Sequence, residues 1–424
     1  MSARTVSSRL FGKLFRALRH RNYRLFFLGQ SLSNIGTWLQ QVAMGWLTYR
    51  VTDSAFLLGV VAFCTNIGIL VLSPFAGVLA DRVNRRRALF FTQTAMLLQA
   101  VVLTAVVALG HVEVWHLIGL ALWLGIAWAF DVPLRQSMYV HLVPDRADLP
   151  NAIALNSFTV NVARVIGPAL AGILIAMVGE AWCFGINAVT YLVVIAAVAR
   201  LEWNQPPAGV QAGWWVSWLE GARYTFGFEP VRVLLILLAV LAWTVAPYSS
   251  LMPIYARDVY GGGPATLGLL LASAGIGALS CMAYLAGRST VRGLGKVIGG
   301  GVLVASLSLA AFAYLRFLPL AMLLLAGVGG GMILAAASSN VILQTVTDDR
   351  LRGRVASFYT LAFLGIAPLG NLAAGALAHA VGAPLTFLLN GCLCASAGVW
   401  FWRALPRLRK VMAPAYERLG IKEE

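Results

Sequence analysis

Charge is the scarcest commodity in this sequence. Asp, Glu, Lys and Arg make up 11% of its 424 residues, where a soluble domain carries roughly a quarter. The shortage runs the whole length of the chain, which excludes a soluble domain with one anchor. Acid is scarcer than base, 16 residues against 32, and cysteine and histidine number five each. Cys64, Cys183, Cys281, Cys392 and Cys394 all fall within predicted helices. They lack the spacing of a disulfide framework or a zinc site, so packing is their reading. His111 and His116 flank Glu113 in a predicted loop and read as solvated, and the other histidines do not join them. No metal site or cofactor is expected. A phosphate-binding loop is also missing. Gly293-Leu294-Gly295-Lys296 is followed by Val297 where Ser or Thr is required, and its spacing is wrong, which argues against ATP hydrolysis. No nucleophile and base converge at one membrane face, so the sequence does not read as a membrane-embedded, lipid-modifying enzyme.

What the sequence has instead is apolar length. Hydrophobic residues make up 60% of the chain and mean hydropathy is +0.80. Apolar stretches of the length needed to cross about 30 Å of hydrocarbon recur throughout, and in lipid such stretches are helices. Twelve spans are predicted, at 24–49, 54–80, 88–109, 115–136, 152–178 and 182–200, then at 231–256, 265–287, 297–315, 318–343, 354–379 and 384–403. With the N-terminus inside, 28 Lys and Arg fall on the inner side and three (Arg50, Arg257 and Arg316) on the outer side, leaving Arg164 within a span. That asymmetry predicts both termini in the cytoplasm. It also explains the net charge of +16 as topology rather than a nucleic-acid footprint. The first span follows a basic arm and lacks a small-residue cleavage site, so no cleavable signal peptide is expected.

The expected organisation is a basic N-terminal arm (1–23), a six-helix bundle (24–200), a linker (201–230), a second six-helix bundle (231–403) and a C-terminal tail (404–424). Trp214, Trp215 and Trp218 beside Glu220 and Arg223 make the linker an amphipathic segment suited to the interface. The halves repeat each other. Ser157, Phe158 and Pro168 recur as Ser357, Phe358 and Pro368. Gly172, Gly179, Phe184 and Asn187 recur as Gly375, Gly382, Phe387 and Asn390, and Gly77 and Arg82 as Gly287 and Arg292. Parallel six-helix repeats are the plan of a large class of carriers whose substrate sits between them near mid-membrane. The glycine runs at 261–263, 299–301 and 329–331 read as a turn and close helix packing.

Polar residues inside the spans are the candidate site. Arg164 lies about 20 Å from the inner end of its span at 1.5 Å per residue, where an unpaired charge costs at least ~2.5 kcal/mol. It should face a cavity or a partner. Asp131 is the only acid well within a span and lies shallower, so a direct pair would need Arg164 to reach inward. An interhelical anchor, an anion contact at Arg164 and proton uptake at Asp131 all stay open. Gln30, Asn34, Thr37 and Gln41 share one face of the first span and read as cavity lining, with Asn161, Asn340 and Asn371 added by position.

The loop from Gly77 to Leu89, GVLADRVNRRRAL, resembles the signature loop of the major facilitator superfamily, at Gly77, Asp81, Arg82, Arg85 and Arg86. Asn84 stands where the pattern has Gly, a mild departure because Asn tolerates left-handed backbone. The segments from Phe15 to Ala43, from Asn161 to Gly172 and from Arg352 to Gly370 resemble the enterobactin-exporter-like branch. The resemblance covers about 15–405. It implies a twelve-helix, all-α transporter of a bacterial inner membrane that exports a drug or siderophore by proton antiport. An importer is the alternative on the same fold, and the partners implied are a small molecule, a coupling proton and lipid. One chain holding both halves suffices as a monomer. Asp81 is expected to contact the start of the eleventh span, near Arg352 and Arg354, and latch the inner side. Gly167-Pro168, with Gly172, resembles an exporter motif of the superfamily. Physically, Pro168 removes a backbone donor and the glycines allow tight packing. The further Arg that proton-coupled drug exporters carry near the inner end of the fourth span is expected to be lacking here, which weakens transfer of their coupling scheme.

Overall fold

The computed structural model describes residues 15–202, 214–288, 290–348 and 350–418, with backbone alone at 73–74, 77–82, 140, 214–218, 220 and 418. Among the described residues every regular element is a helix. The first group is α1 (Arg21–Thr52), α2 (Ala55–Arg82), α3 (Arg85–Ala108), α4 (Val114–Leu142), α5 (Leu149–Val178) and α6 (Glu180–Ala199). A shorter helix follows, α7 (Trp214–Gly227). The second group is α8 (Glu229–Val259), α9 (Pro264–Ala286), α10 (Leu294–Phe312), α11 (Leu318–Val346), α12 (Arg352–Val381) and α13 (Ala383–Arg418).

Eleven of these helices are long and apolar enough to cross a membrane. The remaining long one, α1, has 32 residues, and its glutamines, serines and Asn34 hold it below that apolarity. It packs inside the first group against α5 and α6. The two groups repeat one arrangement. The α2–α4 and α3–α6 neighbours of the first match α9–α11 and α10–α13 of the second. The matched turns share their backbone too. Gly179 and Gly382 both have φ 86°, a conformation open to glycine and costly for other residues.

The groups meet through two equivalent crossings, α5 with α9 and α2 with α12. Both rest on glycine. A Cβ on Gly172 would lie 2.7 Å from the Pro264 carbonyl oxygen and 3.0 Å from Gly268 Cα. A Cβ on Gly375 would lie 2.7 Å from Gly59 Cα. Backbone against backbone at this distance gains dispersion energy that side chains would prevent. The glycine runs behave as expected: Gly261 turns the chain with φ 59°, and a Cβ on Gly301 would lie 2.8 Å from the Gly331 carbonyl oxygen.

Three local expectations are revised. The tail is helical beyond 403, because Leu405, Leu408 and Met412 form a buried row on α13. A basic tail hides that row from a reading by charge. Asn84 is extended (φ −66°), not left-handed. It caps α3, its side chain accepting from the Arg87 amide, which satisfies one orphan donor of the first turn. The seventh predicted span is interrupted: α8 breaks between Thr244 and Tyr248, then closes in a π-turn at Tyr255–Val259. A second π-turn interrupts α12 at Leu361–Gly365.

Candidate functional site

Helix α1 brings its polar residues against three neighbours. Gln40 donates to Gln99 of α3 at 2.9 Å and accepts from Asn187 of α6 at 2.8 Å. Gln99 donates onward to the Leu120 carbonyl of α4 at 3.2 Å. These buried amides are satisfied by one another, as removal from water requires. Nearer the basic end, where Arg16, Arg85 and Arg354 lie, Gln30 accepts from Arg135 of α4 at 2.9 Å.

Arg135 also stands 3.5 Å from Asp131, one helical turn earlier. Asp131 is buried and accepts from Thr92 (3.0 Å) and Gln93 (2.8 Å) of α3. A buried carboxylate needs such a shell. The open question of a direct Asp131–Arg164 pair is thereby answered: Asp131 is held by Arg135 and α3. Sequence reasoning passed over Arg135, although its spacing from Asp131, acid at i and base at i+4, is the ion-pair spacing of a helix.

Arg164 lies elsewhere. Its guanidinium sits 5.8 Å from the centre of the Trp38 ring, within cation–π range. Its Nε is buried without a hydrogen-bond partner among the described residues. Tyr248 of α8, in the other group, is close enough to interact electrostatically with it. Gly167 makes room for Trp38, since a Cβ there would collide with the Trp38 side chain. A Cβ on Gly275 of α9 would lie 2.7 Å from the Arg164 carbonyl oxygen. The α5 residues Gly167, Pro168 and Gly172 thus set how closely α5 approaches α1 and α9.

Beside Trp38 a cavity of about 290 Å³ lies between the two groups. Trp38, Gln41 and Asn66 line it from one side, and Ser249, Ser250 and Asn371 from the other. Asn371 accepts from Ser250 at 3.1 Å. Of the expected lining, Gln41 and Asn371 are in place. Asn34 and Thr37 are half-buried on the same helix outside this lining, and Gln30 is taken by Arg135. Asn161 is buried and donates to the Ser157 carbonyl of its own helix at 2.8 Å. Asn340 accepts from Gln344 at 3.0 Å.

A charged cluster bridges the two groups toward the end opposite the basic one. There Arg257 pairs with Asp53 and Asp258, Tyr49 donates to Asp258, and Arg257 lies 4.2 Å from the Tyr49 ring centre. This cluster joins α1 to α8 across the two groups. Arg50 pairs with Glu180 at 2.8 Å, tying α1 to α6. In the neighbouring loop Glu113 and His116 cap α4 reciprocally.

At the basic end, Arg16 and His20 hold Asp148 and Arg21 pairs with Glu202, fixing the start of α1 to α5 and α6. In the signature loop, Arg86 donates to the Val198 carbonyl at 3.0 Å and to that of Ala199. A cation there offsets the negative end of α6. Arg85 contacts His141, just past the apolar span that ends at Tyr139. Burial, and then the Arg85 charge, draws the His141 imidazole below its ordinary range. The side chains of Asp81 and Arg82, and Gly77 beyond its backbone, lie outside the described residues, and with them the expected Asp81 latch. Arg354 packs at Gly221 of α7, where Phe226 also meets Phe358 edge-on at 6.2 Å. Arg352 begins α12 beside it. The linker tryptophans Trp214, Trp215 and Trp218 are on α7, with side chains outside the described residues.

The profile of the transmembrane secretion effector family matches residues 13–418. Among characterised relatives, the staphyloferrin A transporter of Staphylococcus aureus is 24% identical over 370 residues, covering 87% of this chain and 92% of its own. The multidrug efflux pump Tap of Mycobacterium tuberculosis is 29% identical over 409 residues, covering 92% and 95%. The enterobactin exporter EntS of Escherichia coli is 25% identical over 366 residues, covering 84% and 86%. In fold, the chain is similar to the crystal structure of a peptide transporter, with a TM-score of 0.74 over 92% of this chain and 95% of the other at 13% identity.

Proposed function

Because the chain belongs to the transmembrane secretion effector family of major facilitator transporters, a family of carriers and not of enzymes, we propose that it is a secondary active exporter. Its cargo is a small amphipathic molecule of drug or siderophore type, and it works by alternating access driven by protons. The observation that carries this reading is the cavity between the two groups, bordered by Trp38 under Arg164, with the Tyr49–Asp53–Arg257–Asp258 cluster bridging the groups at one end. Its walls are uncharged and mostly apolar, with Gln41, Asn66, Ser249, Ser250 and Asn371 among them and the Arg164 cation beyond Trp38, which suits an amphipathic cargo. The relatives named for siderophores and drugs support the same class.

In this proposal the bundles 24–200 and 231–403 rock about the glycine crossings, joined by the linker 201–230. The basic end faces the cytoplasm of a bacterium, as the positive-inside asymmetry favours, with both termini inside and one chain sufficient. Asp81 with Arg352 and Arg354 forms the latch on that side. Asp131 is the coupling carboxylate, because a proton there would release Arg135 from its ion pair and loosen α4 from α1 and α3. Arg164 contacts the cargo.

The test is accumulation of dyes, antibiotics and siderophores in oriented inner-membrane vesicles, with and without a proton gradient. Gradient-dependent uptake into inverted vesicles is expected, and uptake confined to right-side-out vesicles would make the protein an importer. Asp131→Asn protein that folds and binds cargo should lose its dependence on the pH gradient. Full retention of that dependence removes Asp131 from the coupling step.

A further inference from the structure

A second cavity, of about 520 Å³, lies far from the first, at the basic end of the second group. The turn from α9 to α10 forms one wall and the helical extension of α13 the other. Arg288, Arg292, Lys296 and Arg409 line it, and no acid does so among the described residues. Bringing four cations together in water is unfavourable unless something anionic joins them. Arg288 is fixed in place, donating to the Tyr284 hydroxyl at 2.9 Å and to the Arg292 carbonyl at 2.5 Å, while its Nε is buried and unpartnered. Arg292, Lys296 and Arg409 make no ion pair among the described residues. The cavity also receives the N-terminal end of the 19-residue helix α10, which begins behind the left-handed Gly293 (φ 73°). Such an end carries partial positive charge.

Apart from Thr290 and Tyr416, the rest of the lining is apolar. Leu294, Ile342, Leu405 and Met412 form its floor, and α9 and α10 above it are apolar spans. A site with cations at the rim, carbon below and lipid-exposed helices alongside fits a group that is anionic at one end and greasy at the other.

We propose that this cavity binds a phosphate anion, and that its source is the headgroup of an anionic phospholipid in the leaflet at the basic end. The bound headgroup bridges the α9–α10 turn to the extension of α13, and so holds the tail helix against the second group.

The test uses the full-length protein purified in detergent, with native mass spectrometry counting retained phosphatidylglycerol against phosphatidylethanolamine. Arg292 and Lys296 have exposed side chains, so R292Q/K296Q should fold as the parent does. It should bind phosphatidylglycerol about 25-fold more weakly, about fivefold per cation, with phosphatidylethanolamine unaffected. R403Q/K410Q removes two exposed cations of α13 outside the cavity and should bind as the parent does. Equal losses in the two double variants would reduce the effect to general surface charge and overturn the site, as would no loss in R292Q/K296Q. Inorganic phosphate at millimolar concentration should fail to displace the lipid. Full displacement would assign the site to a soluble phosphate and overturn the lipid assignment.

Discussion

The two halves share a plan and differ in what holds them. In the first, the interior is specified by polar pairs: Asp131 with Arg135, Gln93 and Thr92, and Gln40 with Gln99 and Asn187. In the second, the charged pairs give way to shape. Tyr255, Phe312 and Phe387 cluster with ring centres 4.7 to 6.1 Å apart, Tyr255 stacked on Phe387, and glycines of α9, α10 and α11 let backbones touch. The second half also carries both π-turns, one in α8 and one in α12. A π-turn leaves a helix locally underbonded and is a site of bending. The contrast teaches a division of labour. Polar pairs demand particular partners and fix register, whereas apolar surfaces and underbonded turns tolerate sliding. On that division the second half, with the π-turns of α8 and α12, is where bending is expected.

Substitutions can break or sharpen that contrast. The largest effect is expected from Arg135→Leu, which leaves the buried Asp131 carboxylate without its cation. A cost on the order of 3 kcal/mol, read as a lowered Tm of the purified protein, is expected. A change within a few tenths would show that the first half is not held by charge. Next is Gly172→Val at the crossing, where overpacking costs about 2 kcal/mol, roughly thirtyfold in the population closed at the end opposite the basic one. Disulfide trapping of a Y49C/D258C pair should fall accordingly, and Gly375→Val should match it by symmetry. An effect of Gly172→Val alone would mean that the crossings are not equivalent. The smallest effect is expected from Tyr255→Phe, which removes the bond to the Ala313 carbonyl (2.8 Å) and keeps the ring stack, at about 1 kcal/mol. A cost equal to that of Arg135→Leu would erase the distinction between the halves.

Most of the fold was legible in the sequence because hydropathy and repeat position are local signals. Gly179 and Gly382, matched by offset, share one backbone conformation, and Gly172 and Gly375, matched likewise, make equivalent crossings. The site was legible in part. Gln41 and Asn371 face the cavity as their polarity suggests. Arg135 was hidden among the basic residues counted as topology, although its spacing from Asp131 marked it. The depth of Arg164 was readable, but the Trp38 ring beneath it was not, since contact between α5 and α1 is set by the packing at Gly167. The buried row of α13 escaped notice because its apolar residues are diluted by Arg and Lys. The break in α8 carries only Pro247 as a cue, which is too common in membrane helices to place it.

The polarity of α1 has a consequence for how the protein is made. Among the long helices described, it is the one least able to remain in lipid on its own apolar content. The partners that satisfy it, Gln99, Arg135 and Asn187, are all synthesised later. Helix α1 must therefore wait, at the interface or in the insertion machinery, until α3, α4 and α6 arrive. A helix translated before its partners is thus among the last to settle, and the first half assembles around it.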